Sequence, residues 1–332
     1  MKEYHSADLL SRPPPDLCYL VDKLIPIGML GDVSGPPGDG KSTILLSLAS
    51  AISTGEPWFG FNTKQTPVAW VSGEASGGDA IARDLHRLRL SKESDILFVL
   101  PDEPLFRFER SVAQWITTAE GGCVLQRMHD AGVGFAVIDT VGSLVAGLQE
   151  IDNDQQRQLA LHIKNQMTGI TTITVSHTNQ SSTKEPLDWR LHYLSRAGGN
   201  GFPGRIRWAG GVTRVQESDT GKIGGRLTSV EISEAKIVAF GISKHNEMPQ
   251  PPANNFTPML FEIKPSGELV LIADPNAVGL FQRASSASTT ARKKKAAPEF
   301  PPIPQPYFAP GNVKVGRFGL RPWPGSTTGE QE

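Results

Sequence analysis

GPPGDGKS, from Gly35 to Ser42, is the most informative segment of this sequence. An apolar run at 27–34 precedes it and predicts a buried strand, and the apolar-periodic run TILLSLASAIST follows it and predicts a helix. Its three glycines let the backbone wrap closely with N–H groups pointing inward, where the positive end of the helix dipole adds to their charge. This order of strand, loop and helix predicts a phosphate-binding loop rather than an ordinary Gly/Pro turn.

A loop of this kind binds a nucleoside triphosphate with its metal ion. Lys41 is expected to reach the β- and γ-phosphates, and Ser42 is expected to place its hydroxyl on Mg²⁺. The predicted cofactors are therefore ATP and Mg²⁺. The residues expected to line the nucleotide are Gly35, Pro36, Pro37, Gly38, Asp39, Gly40, Lys41, Ser42 and Thr43.

The composition is ordinary for a globular protein, with 332 residues, 38% hydrophobic content and 20% charged residues. A net charge of −1 means that any surface for DNA or RNA has to be a local patch. Cys18 and Cys123 stand far apart without metal-ligand company, which argues against a disulfide framework or a zinc site. Because no signal peptide and no run of ~18 apolar residues is visible, we expect a cytoplasmic protein with no membrane partner.

Strand and helix signals alternate through 25–275, which predicts a single α/β domain with a mainly parallel central sheet. Strands are predicted at 67–72, 96–100, 135–139 and 171–176, and helices at 79–90, 112–131 and 154–167. After about residue 205 shorter β-prone pieces predict antiparallel strands at the C-terminal edge of the sheet. These pieces lie at 212–217, 228–233, 237–243 and 268–272.

Two flanking segments differ in composition from this domain. Residues 1–24 form a polar extension, and the prolines at 13–15 argue against a continuous helix through it. Residues 276–332 are rich in Pro and Lys, and we expect a flexible tail there. From Arg283 onward eight Lys and Arg stand against three Glu, a net charge of +5. A solubilising tail and an arm that tethers nucleic acid are both compatible with this charge.

Three polar residues stand at the predicted ends of strands. Asp139 ends the apolar run FAVID, where a carboxylate would face the loop and, with Ser42, hold Mg²⁺. Glu74 follows the strand at 67–72 and is predicted to be the general base that activates water, with a helix N-terminal acid as the alternative. His177 follows the strand at 171–176 and is predicted to contact the γ-phosphate or the attacking water, although a lone His is more often structural.

The order and spacing of these motifs resemble the RecA-like ATPase core, and more specifically the RepA-like (AAA_25) family of replicative helicases. The resemblance covers about 25–272, and its most specific pieces are GPPGDGKSTILLSLASAISTGEPWFG, VAWVSGEAS, VIDTVGSLVAGLQEIDN, VSHTNQ, SRAGGNGFPGR and ISKHNE. It implies a homo-oligomer, a hexameric ring that hydrolyses ATP at subunit interfaces and moves along single-stranded DNA.

The resemblance also implies a cation that a neighbouring subunit supplies to the γ-phosphoryl group. Arg205, Arg207 and Lys244 match its position, and Arg207 is the favoured residue. A surface ion pair, or a cationic stem packed over apolar surface, is the alternative for each of them. Glu150, Asp152 and Asn153 match an acidic cluster that either supports the metal or crosses the interface, with a solvated loop as the alternative.

The segment after His177 departs from the family pattern. Family members often carry two histidines and a nearby lysine here, whereas this chain reads SHTNQ at 176–180, which weakens the case that the segment grips DNA phosphates. Its length and polarity predict a mobile loop that reports the nucleotide state. Trp189, Tyr193 and Phe202 could stack on bases, although core packing is the commoner fate of such residues.

Together these features predict an ATP-driven motor that single-stranded DNA stimulates. The alternative is a nucleotide-gated assembly or regulatory ATPase, such as a recombination or repair mediator, that separates no strands. RecA-like cores serve both kinds of protein, so the fold does not decide between them.

Overall fold

The computed structural model describes residues 5–11, 16–75, 77–149, 152–198, 200–220, 223, 227–245 and 258–273. Its N-terminal half begins with a short exposed helix and a small hairpin that packs on the core. The elements are α1 (Ser6–Leu10), β1 (Tyr19–Val21), β2 (Ile25–Pro26), β3 (Leu30–Gly35), α2 (Lys41–Thr54), β4 (Val68–Ser72), α3 (Gly78–Arg87), β5 (Ile96–Val99), β6 (Phe106–Glu109), β7 (Gln114–Thr117), α4 (Ala119–Asp130), β8 (Phe135–Asp139) and β9 (Val145–Ala146).

The second half completes the large sheet. Its elements are α5 (Asn153–Gln166), β10 (Thr171–His177), α6 (Leu187–Arg190), α7 (Gly201–Arg205), β11 (Trp208–Arg214), α8 (Ser229–Glu234), β12 (Lys236–His245), β13 (Met259–Ile263) and β14 (Leu269–Ala273). Among the described residues, no helix has the length and apolar character needed to cross a bilayer.

One nine-stranded sheet organises the domain, in the order β14-β13-β12-β11-β3-β10-β8-β4-β5. The strands from β11 to β5 run parallel to their neighbours, and β12, β13 and β14 add antiparallel pairs at the C-terminal edge. Both features were predicted, and both are confirmed. The central strands β3, β4 and β8 are buried along their whole length, which explains why their sequences are nearly continuous apolar runs.

Apolar side chains cover both faces of the sheet. One cluster joins α2 to the sheet through residues such as Ile44 and Val33, and it includes Leu20 and Val21 of the N-terminal hairpin. A second cluster joins α4 and α5 to the opposite face through Val124 and Leu159. Helices on both faces of a largely parallel sheet are the layered arrangement that alternating elements produce.

Two predicted elements are wrong. The helix predicted at 112–131 is a strand, β7, followed by the shorter helix α4, because the Thr118 hydroxyl accepts a hydrogen bond from the Gly121 amide and starts the helix there. The strand predicted at 228–233 is the helix α8. Its first turn carries a capping box in which Thr228 and Glu231 each satisfy the other's backbone amide. Strands β1, β2, β6, β9 and β13 were not predicted, and the tail predicted at 276–332 lies outside the described residues.

Candidate nucleotide-binding site

The phosphate-binding loop lies between the end of β3 and the start of α2, as predicted. Two of its glycines are required by geometry. At Gly35 an added Cβ would collide with the carbonyl oxygen of Val212, and Gly40 has a φ of +95°, a conformation that side chains disfavour. The loop therefore wraps at the N-terminus of α2, with backbone amides available to an anion.

Lys41 is folded back over this loop. Its Nζ donates hydrogen bonds of 2.9 Å to the carbonyl oxygens of both Gly35 and Pro36, and the side chain is buried. Burial lowers the pKa of Lys41, although nearby carboxylates, led by Asp139, act in the opposite direction. To reach phosphate, the ammonium would exchange these carbonyl contacts for phosphate oxygens.

Ser42 and Asp139 meet beside Lys41. The Ser42 hydroxyl donates a 2.7 Å hydrogen bond to Oδ2 of Asp139, which is buried at the end of β8. Burial raises the pKa of Asp139, and the hydrogen bond from Ser42 partly offsets this effect. A hydroxyl and a carboxylate are the oxygen ligands that Mg²⁺ prefers, so these two residues fit the predicted metal site. No group of three His, Cys, Asp or Glu side chains in the described part of the chain could hold a metal by itself, so the remaining ligands would be phosphate oxygens and water.

Glu74 and His177 face the same edge of the sheet. In the sheet register His177 pairs with Gly35 and Ser72 pairs with Asp139, so β10 ends beside the start of the loop and β4 ends beside Asp139. His177 Nε2 lies 3.5 Å from Oε1 of Glu74, and both side chains are partly exposed. The buried Nδ1 of His177 has no hydrogen-bond partner among the described residues. The structure thus brings Lys41, Ser42, Glu74, Asp139 and His177 together in one crevice.

Thr140 also belongs to this crevice, although it was not predicted. Its hydroxyl donates a 2.8 Å hydrogen bond to Oε1 of Glu74. The available signal was a hydroxyl residue directly after the predicted metal-binding Asp139.

Asp39, predicted to line the nucleotide, connects the loop to the neighbouring strand. Its Oδ2 accepts a 2.8 Å hydrogen bond from the Arg214 amide and a 3.3 Å hydrogen bond from the Thr213 hydroxyl. From β12, Lys236 Nζ donates to the Gly38 carbonyl oxygen at 2.7 Å. The tip of the loop is therefore attached to β11 and β12 through three hydrogen bonds.

The three cations predicted to act between subunits lie at the other end of the strands. Gly211 of β11 pairs with Ser34, which lies directly before the loop. Arg207 comes four residues before Gly211, so along the strand direction it lies about 13 Å from the level of Ser34. Arg205 and Arg207 are exposed, and neither has a hydrogen-bond or ion-pair partner among the described residues. Lys244 is half-buried and donates a 2.5 Å hydrogen bond to the Pro203 carbonyl oxygen, and burial lowers its pKa. None of the three is placed at the phosphate loop of its own chain.

The acidic cluster after β8 makes local structural contacts where it is described. Asp152 caps α5 by accepting hydrogen bonds from the amides of Asp154 and Gln155. Asn153 Oδ1 accepts a 3.0 Å hydrogen bond from the Gly201 amide. Glu150, the third predicted member, lies outside the described residues.

The segment after His177 is packed against the domain rather than an open loop. It contains α6 and the 3₁₀ turns Gln180–Lys184 and Tyr193–Ser195, and Leu187 and Leu191 are buried in the core. Arg196 anchors its end. The Arg196 guanidinium donates to Ser176 Oγ at 2.8 Å and lies 3.4 Å from Oδ2 of Asp32 on β3.

The aromatic residues of this region differ in exposure. Phe202 is fully buried beneath the guanidinium of Arg196. Trp189 is 43% exposed, and its ring is stacked on that of His192 at 5.3 Å. His192 in turn contacts Tyr193, and Lys244 Nζ lies 5.2 Å from the Tyr193 ring. We call Trp189, His192 and Tyr193 the aromatic strip.

Comparison with known protein families agrees with this site. The model of the AAA_25 family, an AAA domain, matches residues 2–183, which is more than half of the chain and includes the loop, Glu74, Asp139 and His177. The chain belongs to the AAA_25 family. Membership confirms the resemblance predicted from the motifs and makes this a P-loop ATPase of that family. The match ends before Arg205, Arg207 and Lys244.

Two solved structures are similar to this AAA_25 protein. A DnaB-like replicative helicase, solved in a study of its interactions with primase, is 12% identical over 80% of this chain and 66% of its own, with a TM-score of 0.52. A KaiC-like protein from the hyperthermophilic archaeon Pyrococcus horikoshii OT3 is 15% identical over 78% of this chain and 100% of its own, with a TM-score of 0.47. At this identity the helicase similarity concerns the fold, which is RecA-like as predicted. No curated protein sequence matches the chain.

Proposed function

We propose that this AAA_25 protein is an ATP-hydrolysing motor, stimulated by single-stranded DNA and resembling RepA replicative helicases. The observation that carries the proposal is the crevice in which Lys41, Ser42, Asp139 and Glu74 converge at the end of the parallel strands. A phosphate clamp, a pair of metal ligands and a carboxylate that can accept a proton are the parts that hydrolysis of a γ-phosphate requires.

The residues of the crevice are assigned to different parts of the proposed reaction. Lys41 would bind phosphate oxygens. Ser42 and Asp139 would hold Mg²⁺, and the bound ion would supply positive charge that neutralises the phosphates. Glu74 accepts a proton from water as the water oxygen attacks the γ-phosphorus and the bond to the β-phosphate oxygen breaks. His177, 3.5 Å from Glu74, orients the water or contacts the γ-phosphate.

We further propose that the active site is completed between subunits of a ring, which the family resemblance implies to be hexameric. The crevice contains Lys41 but no arginine among the residues that converge there. Arg207 is exposed, unpartnered among the described residues and distant from the loop of its own chain, as expected of a cation that serves a neighbour. Arg205 is the second candidate. Lys244 is less suited, because its ammonium already contacts Pro203 and Tyr193.

The aromatic strip supports single-stranded DNA as the partner. An exposed tryptophan stacked on a histidine offers a flat face to a base, and stacking of this kind tolerates any sequence. Lys244, whose pKa is lowered by burial and by the nearby Arg207, lies with that arginine at one end of the strip, and the two side chains supply positive charge there. Aromatic faces combined with cations are typical of surfaces that bind single strands.

The test measures DNA binding, ATPase stimulation and unwinding of a forked duplex in the same preparation. Trp189→Ala is expected to weaken single-strand binding by about 5- to 150-fold, because stacking on one aromatic residue contributes ~1–3 kcal/mol per base. Leu161→Ala is the matched control, since Leu161 is similarly exposed at 47% but lies on α5. It is expected to bind DNA as the wild type does.

The outcomes separate the two candidate functions. ATP-dependent release of the strand supports a motor. ATPase activity and DNA binding without strand release favour the nucleotide-gated regulator. Absence of any DNA binding or stimulation at low salt, where phosphate contacts are strongest, contradicts both the motor and the proposed role of the aromatic strip.

A further inference from the structure

We propose that Thr140 is a positioning residue for Glu74, holding the carboxylate in the orientation that lets it accept a proton from water. The inference rests on the proposed function, because it takes Glu74 to be the base. It adds a residue that the sequence motifs do not indicate, and it rests on a network of hydrogen bonds around the end of β8.

Ser143 fixes the position of Thr140, independently of the contact with Glu74. Thr140 is buried, and its amide donates to Ser143 Oγ at 3.2 Å, while Ser143 Oγ donates to the Thr140 carbonyl oxygen at 2.9 Å. Ser143 therefore grips both backbone groups of Thr140. The two hydroxyl oxygens are also only 3.3 Å apart, so the Thr140 hydroxyl has one neighbour on each side, Ser143 and Glu74.

The backbone turn that carries Glu74 contacts the same end of β8, at Asp139 and Ser143. The Gly73 amide donates to the Asp139 carbonyl oxygen at 3.0 Å, and the Glu74 amide donates to Ser72 Oγ at 3.3 Å. An added Cβ at Gly73 would lie 2.6 Å from Ser143 Oγ, so this turn packs directly on the residue that fixes Thr140. The turn and the hydroxyl thus form one unit.

The Glu74 side chain needs this support because half of its surface is exposed. A glutamate side chain in water samples several rotamers, and each unproductive rotamer lowers the fraction of time in which the carboxylate faces the water. The Thr140 hydroxyl holds Oε1 at 2.8 Å. Oε2 has no partner among the described residues and is the oxygen left for the water. Thr140 touches no reacting atom itself and acts through Glu74.

The test is steady-state ATPase kinetics of Thr140→Val, which keeps the shape of threonine and removes the hydroxyl. We expect kcat to fall about 10- to 100-fold, because a hydrogen bond to a charged group is lost at a residue whose own contribution is ~10²–10⁴-fold. The KM for Mg-ATP is expected to stay within about twofold, since the phosphate clamp is unchanged. Thr140→Ser restores the hydroxyl and is expected to recover most of kcat.

A second comparison distinguishes positioning from general damage. In a Glu74→Gln background, Thr140→Val is expected to lower kcat no further, because the group that it positions is already gone. A further loss of tenfold or more in that background contradicts the proposal. So does a Thr140→Val protein with wild-type kcat, or a Thr140→Ser protein as impaired as Thr140→Val. If Thr140→Val does not fold, Thr140→Ala and the serine variant carry the same comparison.

Glu74→Gln alone separates this inference from the function on which it depends. If Glu74→Gln keeps wild-type turnover, Glu74 is not the base and the proposed mechanism fails. If Glu74→Gln abolishes turnover while Thr140→Val retains it in full, the mechanism stands and only the role of Thr140 is rejected.

Discussion

Removal of the Asp32 carboxylate should destabilise the protein strongly, because Asp32 and Arg196 form a buried ion pair between the central strand β3 and the end of the segment after His177. Their side chains are only 3% and 5% exposed, and Arg196 Nε lies 3.4 Å from Oδ2 of Asp32. Oδ1 of Asp32 also accepts hydrogen bonds of 2.6 Å and 2.7 Å from the hydroxyls of Thr174 and Ser176. Asp32→Ala would remove the Asp32 counter-charge from beside a buried guanidinium, and it would take one buried acceptor away from each of two hydroxyls.

The expected loss in the free energy of unfolding is about 3–5 kcal/mol, the usual cost of removing one partner of a buried pair. That is a large share of the 5–15 kcal/mol by which a domain is typically stable. Arg196 keeps hydrogen bonds to Ser176 and Gln156, which favours the lower end of this range. Replacing both partners, as Asp32→Ala with Arg196→Met, should cost less than the sum of the two single changes, because no uncompensated charge remains.

Urea unfolding followed by circular dichroism measures these differences. The control is Asp154→Ala, which removes an ion pair with Arg157 on the exposed side of α5, where the side chains are 78% and 49% exposed. This variant should lose less than about 1 kcal/mol. The reasoning is refuted if Asp32→Ala costs no more than the control, or if the double replacement costs as much as the two single replacements together.

Two further predictions concern the nucleotide site. Burial raises the pKa of Asp139, so the folded protein binds this proton more tightly than the unfolded chain does. The free energy of unfolding therefore gains a contribution at low pH, and this contribution is lost as pH rises through the raised pKa. Asp139→Asn should therefore raise the melting temperature of the nucleotide-free protein at pH 7, and the increase should become smaller on acidification. The same variant should bind ATP more weakly in the presence of Mg²⁺. An unchanged or lower melting temperature contradicts the prediction. Arg207→Ala should lower kcat by about 10³–10⁵-fold if the cation acts between subunits. Mixing it with inactive Lys41→Ala subunits should then restore ATPase activity, and a mixture no more active than its components argues against donation from a neighbour.

Much of the fold and part of the site could be predicted because local signals and tertiary structure agree. The strand FAVID is apolar throughout because it is buried on both faces, and it ends at Asp139 because the chain reaches the crevice there. The loop at 35–42 could be predicted because its glycines and its lysine are the residues that binding of a phosphate requires. The carboxyl ends of parallel strands lie at the same edge of the sheet, which places Glu74 and His177 near the loop.

The features that were missed depend on contacts that local sequence does not express. The run at 228–233 alternates like a strand, but the capping box of Thr228 and Glu231 starts a helix there. Asp32 looks like an interruption of an apolar strand until its distant partner Arg196 is known. Similarly, the role proposed for Thr140 depends on its contact with Glu74, which lies in the turn after the adjacent strand β4.

Calorimetric titration of Mg-ATP into the wild-type protein and into Lys41→Ala measures whether the loop after β3 holds the triphosphate. The wild type should bind one nucleotide per chain, and Lys41→Ala should bind at least tenfold more weakly, since the buried ammonium over the loop is gone. If the wild-type protein binds no Mg-ATP, or if Lys41→Ala binds it equally well, the loop after β3 does not hold the triphosphate in the way proposed.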